Sequence, residues 1–95
     1  MYDLTAFQRD LLYAVGSREE PHGLAIKDVL EKYYESDIHH GRLYPNLDEL
    51  VEKGLVEKGT IDDRTNSYTL TRRGRRELAD RRVWEDEQVE VEAVR

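Results

Sequence analysis

Residues 38 to 56 read IHHGRLYPNLDELVEKGLV. His39, His40, Gly41, Arg42 and Asn46 fall within eight positions of one another. Such side chains can read base edges, because arginine pairs bidentately with guanine and asparagine with adenine. The adjacent histidines, with Asp37 nearby, raise metal ligation as the other option. Neighbouring residues on a helix diverge by about 100° and rarely share one ion, so no metal and no other cofactor is expected. The chain shows no nucleophile–base pair at a recognisable spacing and no glycine-rich phosphate loop, so an enzyme is not expected. It has no cysteine, which excludes disulfides, thiolate chemistry, cysteine-ligated zinc and direct thiol sensing of oxidants.

These residues need a helix to present them. Leu43, Leu47, Leu50 and Val51 recur at i, i+4, i+7 and i+8, one apolar face. A helix beginning near His40 or Gly41 puts Pro45 at about the fourth or fifth helical position. The cost there is far below the ~3 kcal/mol of an interior proline. Preceding residues would keep free N–H groups pointing outward, where the helix dipole favours an anion. Gly54 is the expected C′ glycine. A blander reading is available for each residue. The leucines are simply core, Tyr44 packs on the preceding helix instead of touching DNA, and the histidines are ordinary exposed side chains.

Thr5 and Gln8 have capping-box spacing ahead of Phe7, Leu11, Leu12 and Val15, which predicts a helix over about 5–17. The link SREEPHG carries the turn residues Pro21 and Gly23. A second helix is expected over about 22–35, broken by Ser36 and Asp37. After Gly54, strands over about 55–60 and 67–71 flank a polar tip from Asp62 to Asn66, a β-hairpin. Thr71 can cap a fourth helix running through Leu78, Ala79, Val83 and Trp84. The tail EDEQVEVEAVR admits a strand, a frayed helix end or disorder. The expected fold is mainly α with a small β-hairpin: a winged helix-turn-helix of three helices, a two-stranded wing and a C-terminal dimerisation helix. Residues 1–82 would form the DNA-binding domain, and 71–95 the dimerisation helix and acidic tail.

With 95 residues, 38% of them hydrophobic and 38% charged, the chain holds one small core of the kind that often gains from a partner subunit. Net charge is −6, yet residues 71–82 carry six arginines against Glu77 and Asp80, for a local +4, and residues 83–95 a local −4. Eleven arginines against four lysines, on an acidic chain, suit a protein dissolved in concentrated salt; an ordinary acidic mesophilic protein is the alternative. At about 1 M salt the Debye length is about 3 Å, so repulsion between acidic protein and DNA would matter little. No apolar run is long enough to span a bilayer, and the start lacks the pattern of a signal peptide, so a cytoplasmic protein is expected.

The runs GRLYPNLDELVEKGLVEKG and DDRTNSYTLTRRGRREL resemble the PadR-like family of winged-helix transcriptional regulators. The resemblance covers about residues 4–82 and rests on Tyr44-Pro45, the run from Leu47 to Val56, the 61–66 tip, and the stretch from Tyr68 to Arg75. Phe7-Gln8-Arg9-Asp10, His40-Gly41-Arg42 and Arg64-Thr65-Asn66 are similar to the short version found in halophilic archaea, a branch that includes a stress-response regulator for reactive oxygen species. It implies a homodimer joined by the first and last helices, the third helix in the major groove, and the wing along the backbone or minor groove. The family often has a longer C-terminal region. Only about 13 residues follow Arg82, which implies a small interface and little room for a large effector pocket.

From the residues themselves, Arg42 and Asn46 are the expected base contacts, with His39, His40, Gly41 and Tyr44 bordering the groove. Arg64 and Asn66 would reach phosphate or the minor groove, and Lys27 the backbone. Arg72, Arg73, Arg75 and Arg76 span two helical faces; they touch phosphate or form a solvated surface paired to Glu77 and Asp80. Phe7, Leu11, Val83 and Trp84 are the expected dimer contacts. A dimer sets two recognition helices about 34 Å apart and predicts a palindromic site. The expected partners are double-stranded DNA and a second copy, with salt ions as further candidates; the rival is a winged helix that docks proteins.

Overall fold

The computed structural model describes residues 1–17 and 22–89. The elements are α1 (Ala6–Gly16), α2 (Gly23–Tyr34), α3 (His40–Glu52), β1 (Val56–Asp62), β2 (Thr65–Leu70) and α4 (Arg72–Gln88). This is the expected mainly helical chain with one antiparallel hairpin. Pro21 and the tail from residue 90 onward lie outside the described residues, so the readings made of them stay as expectations.

α1 starts where Thr5 and Gln8 close the anticipated capping box: the Thr5 hydroxyl accepts from the Gln8 N–H at 3.1 Å, and the Gln8 side-chain oxygen accepts from the Thr5 N–H at 3.2 Å. Leu11, Leu12, Ile26, Leu30, Leu43, Leu47, Leu50 and Tyr68 then bury themselves in one core shared by α1, α2, α3 and the wing. The turn from α2 to α3 is tight because Glu31 serves both sides of it. Its carboxylate accepts from Lys27 Nζ at 2.8 Å and from the Ile38 N–H at 2.8 Å. Its carbonyl accepts from the Ser36 N–H at 3.3 Å. Ile38 plugs the core beneath.

α3 closes on the expected glycine. Gly54 has φ of 77°, the left-handed conformation that a side chain resists. Its N–H donates to the Val51 carbonyl at 3.0 Å, and the Leu55 N–H donates to the Leu50 carbonyl at 3.1 Å, a Schellman closure. The strands run closer to the tip than anticipated. Val56 pairs with Leu70, Lys58 with Tyr68 and Thr60 with Asn66, with an irregularity between Thr60 and Asp62 that leaves Ile61 bulged. The Asp62 carboxylate accepts from the N–H groups of Arg64 and Thr65, both at 2.9 Å, and this closes the tip. Those bonds hold the Asp62 carboxyl below the ordinary carboxylate range. Thr71 caps α4, accepting from the Gly74 N–H at 3.0 Å and donating to the Gly54 carbonyl at 2.7 Å. Among the described residues of α4 only Gly74 and Leu78 are buried.

Candidate nucleic-acid interface

α3 presents two edges. Successive residues advance by about 100°, so with Leu43, Leu47 and Leu50 facing inward, Arg42, Asn46 and Glu49 form one edge and His40, Tyr44 and Asp48 the other. Gly41 and Pro45 lie between them, facing outward. Pro45 is the sixth residue of α3, one to two positions deeper than anticipated. Its missing N–H leaves the Gly41 carbonyl without an i+4 donor. The idea that the first turn keeps its amides free is corrected. His39 Nδ1 accepts from the Gly41 N–H at 3.2 Å, and the His39 carbonyl accepts from Arg42 N–H at 2.9 Å and Leu43 N–H at 3.0 Å. His39 is the cap of α3, with its Nε2 left to carry the ring proton.

The first edge is held by α1. The Arg42 guanidinium lies over the Phe7 ring, 3.9 Å from its centroid. A cation over an aromatic face is held without spending its N–H donors, which stay available for a bidentate partner. Asn46 is differently placed. Its Nδ2 donates to the Arg42 carbonyl at 2.6 Å and its Oδ1 accepts from Gln8 Nε2 at 3.0 Å. Both ends of the Asn46 amide are thus bonded within the chain, which leaves one N–H and one oxygen lone pair for a further partner.

The second edge lines a cleft. Tyr44 packs against α2, where Gly23 makes room: a Cβ on Gly23 would stand 2.5 Å from the Tyr44 hydroxyl. His40 meets the Tyr44 ring edge-on at 5.7 Å. His22 caps α2 through Nδ1, accepting from the Ala25 N–H at 3.2 Å, and its backbone bridges to Ser67 of the wing. The start of α2 is thereby tied to β2. His22, Leu24, Tyr44, Arg64, Asn66 and Tyr68 surround a cleft of about 290 Å³. Lys58, across from Tyr68 on β1, stands 3.7 Å from the Asp48 carboxylate. The sequence placed His22 at the start of the second helix without a functional role, and gave none to Lys58. The alternation of Lys58 against Tyr68 in the hairpin register was the signal for the latter.

Two charged expectations change. Lys27 is half-buried and bonded to Glu31, so it braces α2 and is not a free cation. That bond raises the Lys27 pKa and lowers that of Glu31. Of the α4 arginines, Arg73 reaches the C-terminal end of α3, roughly 18 Å along the helix from its first turn, and Arg75 the end of β2. Arg73 donates to the Lys53 carbonyl and Arg75 to the Leu70 carbonyl, each at 3.1 Å. Arg72 and Arg76 are exposed, with no ion pair or side-chain hydrogen bond among the described residues. The four do not form one patch, and Glu77 takes the Met1 amine at 3.3 Å instead of an arginine.

The sequence model of the Transcriptional regulator PadR-like family matches residues 11–80. The chain belongs to the PadR-like family. RosR of H. salinarum, in the complex hsRosR-S1, is 52% identical with a TM-score of 0.88, over 92% of this chain and 77% of that one. H. salinarum RosR grown from NaBr is 50% identical, also at 0.88, over 96% and 82%. A PadR-like transcription factor from B. fragilis shares the fold at 19% identity and a TM-score of 0.74, over 86% of this chain and 82% of that one. No curated protein matches. PadR-like regulators are DNA-binding proteins without enzymatic activity. No described helix is long and apolar enough to cross a membrane. Among the described residues no group of three or more His, Asp or Glu could hold a metal.

The anticipated dimer contacts divide. Phe7 and Leu11 lie in the chain's own core, which corrects their assignment to a surface. Each continues the stripe that faces α2 and α3, and the spacing of a core stripe and of an interface stripe is the same. Val83 and Trp84 are 58% and 49% exposed on the far end of α4, with the Arg81 guanidinium 4.6 Å from the Trp84 centroid.

Proposed function

We propose that this PadR-like chain is a sequence-specific transcriptional regulator that binds a palindromic operator as a homodimer, in a cytoplasm of concentrated salt. Residues 1–82 serve as the DNA-binding domain and 71–95 as the dimerisation helix and tail. The observation that carries the reading is the juxtaposition of the exposed front of α3, the start of α2 and the wing tip around one polar cleft. A phosphate strand entering it meets Arg64 and Asn66 on one side and His22 and Tyr44 on the other. α3 then lies in the major groove with the Arg42 guanidinium, held over the Phe7 ring, directed at guanine. Val83 and Trp84, large apolar groups left about half exposed among the described residues, are the contacts offered to a second copy.

The test is a salt titration of binding to duplexes that differ at single base pairs, with wild type and Arg42→Ala. Wild type should prefer one palindrome, with half-sites about one helical turn apart. Arg42→Ala should lose about 1–3 kcal/mol of discrimination at one base pair in each half-site. A protein-docking winged helix would show no sequence-dependent difference in either form.

A further inference from the structure

Gln8 is 4% exposed and is one of two buried polar residues among those described. Its two ends do separate jobs. The oxygen closes the capping box of α1. The Nε2 crosses to α3, donating to Asn46 Oδ1 at 3.0 Å and to the Glu49 carboxylate. Asn46 and Glu49 are three residues apart on the same edge of α3, one and two turns beyond Arg42. Phe7, the residue before Gln8, supplies the ring on which Arg42 lies. Two adjacent residues of α1 therefore grip one edge of the recognition helix, Phe7 by a face and Gln8 by a donor.

We infer that Gln8 is a positioning residue for base recognition: by clamping Asn46 and Glu49 it sets the rotation of α3 about its own axis and so the aim of Arg42. This rests on the DNA-reading function proposed above. Leucines at 43, 47 and 50 fix the depth of α3, but an apolar contact is non-directional and resists a roll of the helix weakly. A hydrogen bond weakens steeply as its angle falls, so the Gln8 amide is the directional restraint. The side-chain shell of a helix lies about 5–6 Å from its axis, so a roll of about 20° displaces a side-chain tip by about 2 Å. That is enough to lose a bidentate pair, whose heavy atoms must meet within a few tenths of an ångström.

The oxygen and the amide of Gln8 can be tested apart. Gln8→Glu keeps the capping acceptor but replaces the donor with a carboxylate facing Glu49. Gln8→Met removes both ends without adding charge and covers the case in which Gln8→Glu does not fold. Thr5→Ala breaks the capping box while leaving the amide on α3. Each is measured for binding to the preferred duplex and to one altered at the Arg42-dependent base pair, at fixed salt. Gln8→Glu and Gln8→Met should lose about tenfold in the ratio of the two affinities, with binding to an unrelated duplex unchanged. Thr5→Ala should keep the wild-type ratio. In an Arg42→Ala background the Gln8 substitutions should remove nothing further. A wild-type ratio in both Gln8 variants, or an equal loss in Thr5→Ala, overturns the inference. A wild type that shows no preference among duplexes overturns the parent reading itself, and is recognised before any variant is made.

Discussion

Two glycines of the helix-turn-helix should answer the same substitution in opposite directions. Gly23 opens α2 beneath Tyr44. A Cβ there would meet the Tyr44 hydroxyl at 2.5 Å, Cε1 at 2.7 Å and Cζ at 2.9 Å. Ordinary contact between such atoms is about 3.5 Å, so the ring must retreat by close to 1 Å. Overpacking of this kind costs about 1–3 kcal/mol. Alanine recovers at most ~1 kcal/mol over glycine within a helix. The clash wins, and Gly23→Ala should destabilise by about 1–2 kcal/mol, lowering Tm by about 4–16 °C for a domain of this length. Gly41 differs: its nearest neighbour would be His39 Nδ1 at 3.4 Å, an ordinary separation. Gly41→Ala should stabilise by about 0.5–1 kcal/mol. It should also weaken operator binding, since Gly41 and Pro45 face outward on α3. Thermal unfolding at one protein concentration measures the first effect and duplex titration the second. Tyr44→Leu should rescue the stability of Gly23→Ala in a double-mutant cycle. If Gly23→Ala raises Tm, or Tyr44→Leu leaves its cost unchanged, the packing of α3 on the start of α2 has been misjudged.

Other outcomes follow from the same geometry. The Glu31 carboxyl is held low by Lys27 and then by the Ile38 N–H, so its contribution is complete above the ordinary carboxylate range and lost as pH falls through its lowered value. Denaturant unfolding across pH 2–6 should therefore show a flatter acid limb for Glu31→Gln. Burial, and then the bond from its hydroxyl to Asp10, push the Tyr34 pKa up to about 12. A group raised in the folded state contributes below its unfolded value, near 10, and loses that contribution as pH climbs through about 12. Absorbance titration should find Tyr34 among the last of the six tyrosines to ionise, and Tyr34→Phe should remove that alkaline loss of stability. Arg64→Ala, at the wing tip, should lower affinity for all duplexes about equally and reduce the slope of log affinity against log salt by about one. Leu47→Ala, at a fully buried position, should cost about 2–5 kcal/mol by equilibrium unfolding.

Periodicity and caps determined the element order without help. The Thr5–Gln8 box, the 43–47–50 stripe, Gly54 and Thr71 act through bonds spanning a few residues, so local sequence suffices to place them. The Tyr-Pro pair and the runs around it likewise carried the family. Which side chains remain free was a different matter. Asn46 and Arg42 look alike as base readers in one dimension; only the approach of α1 reveals that Gln8 bonds the one and Phe7 supports the other. Phe7 and Leu11 carry the pattern of an interface and of a core equally, and α2 and α3 supplied the atoms that decide between them. The α4 arginines formed one cluster along the chain, yet two of them turn to carbonyls at Lys53 and Leu70 once the helix docks beside the wing. Periodicity says which way a residue points along its own element. What it meets there depends on partners tens of residues away, and only the packed structure brings those together.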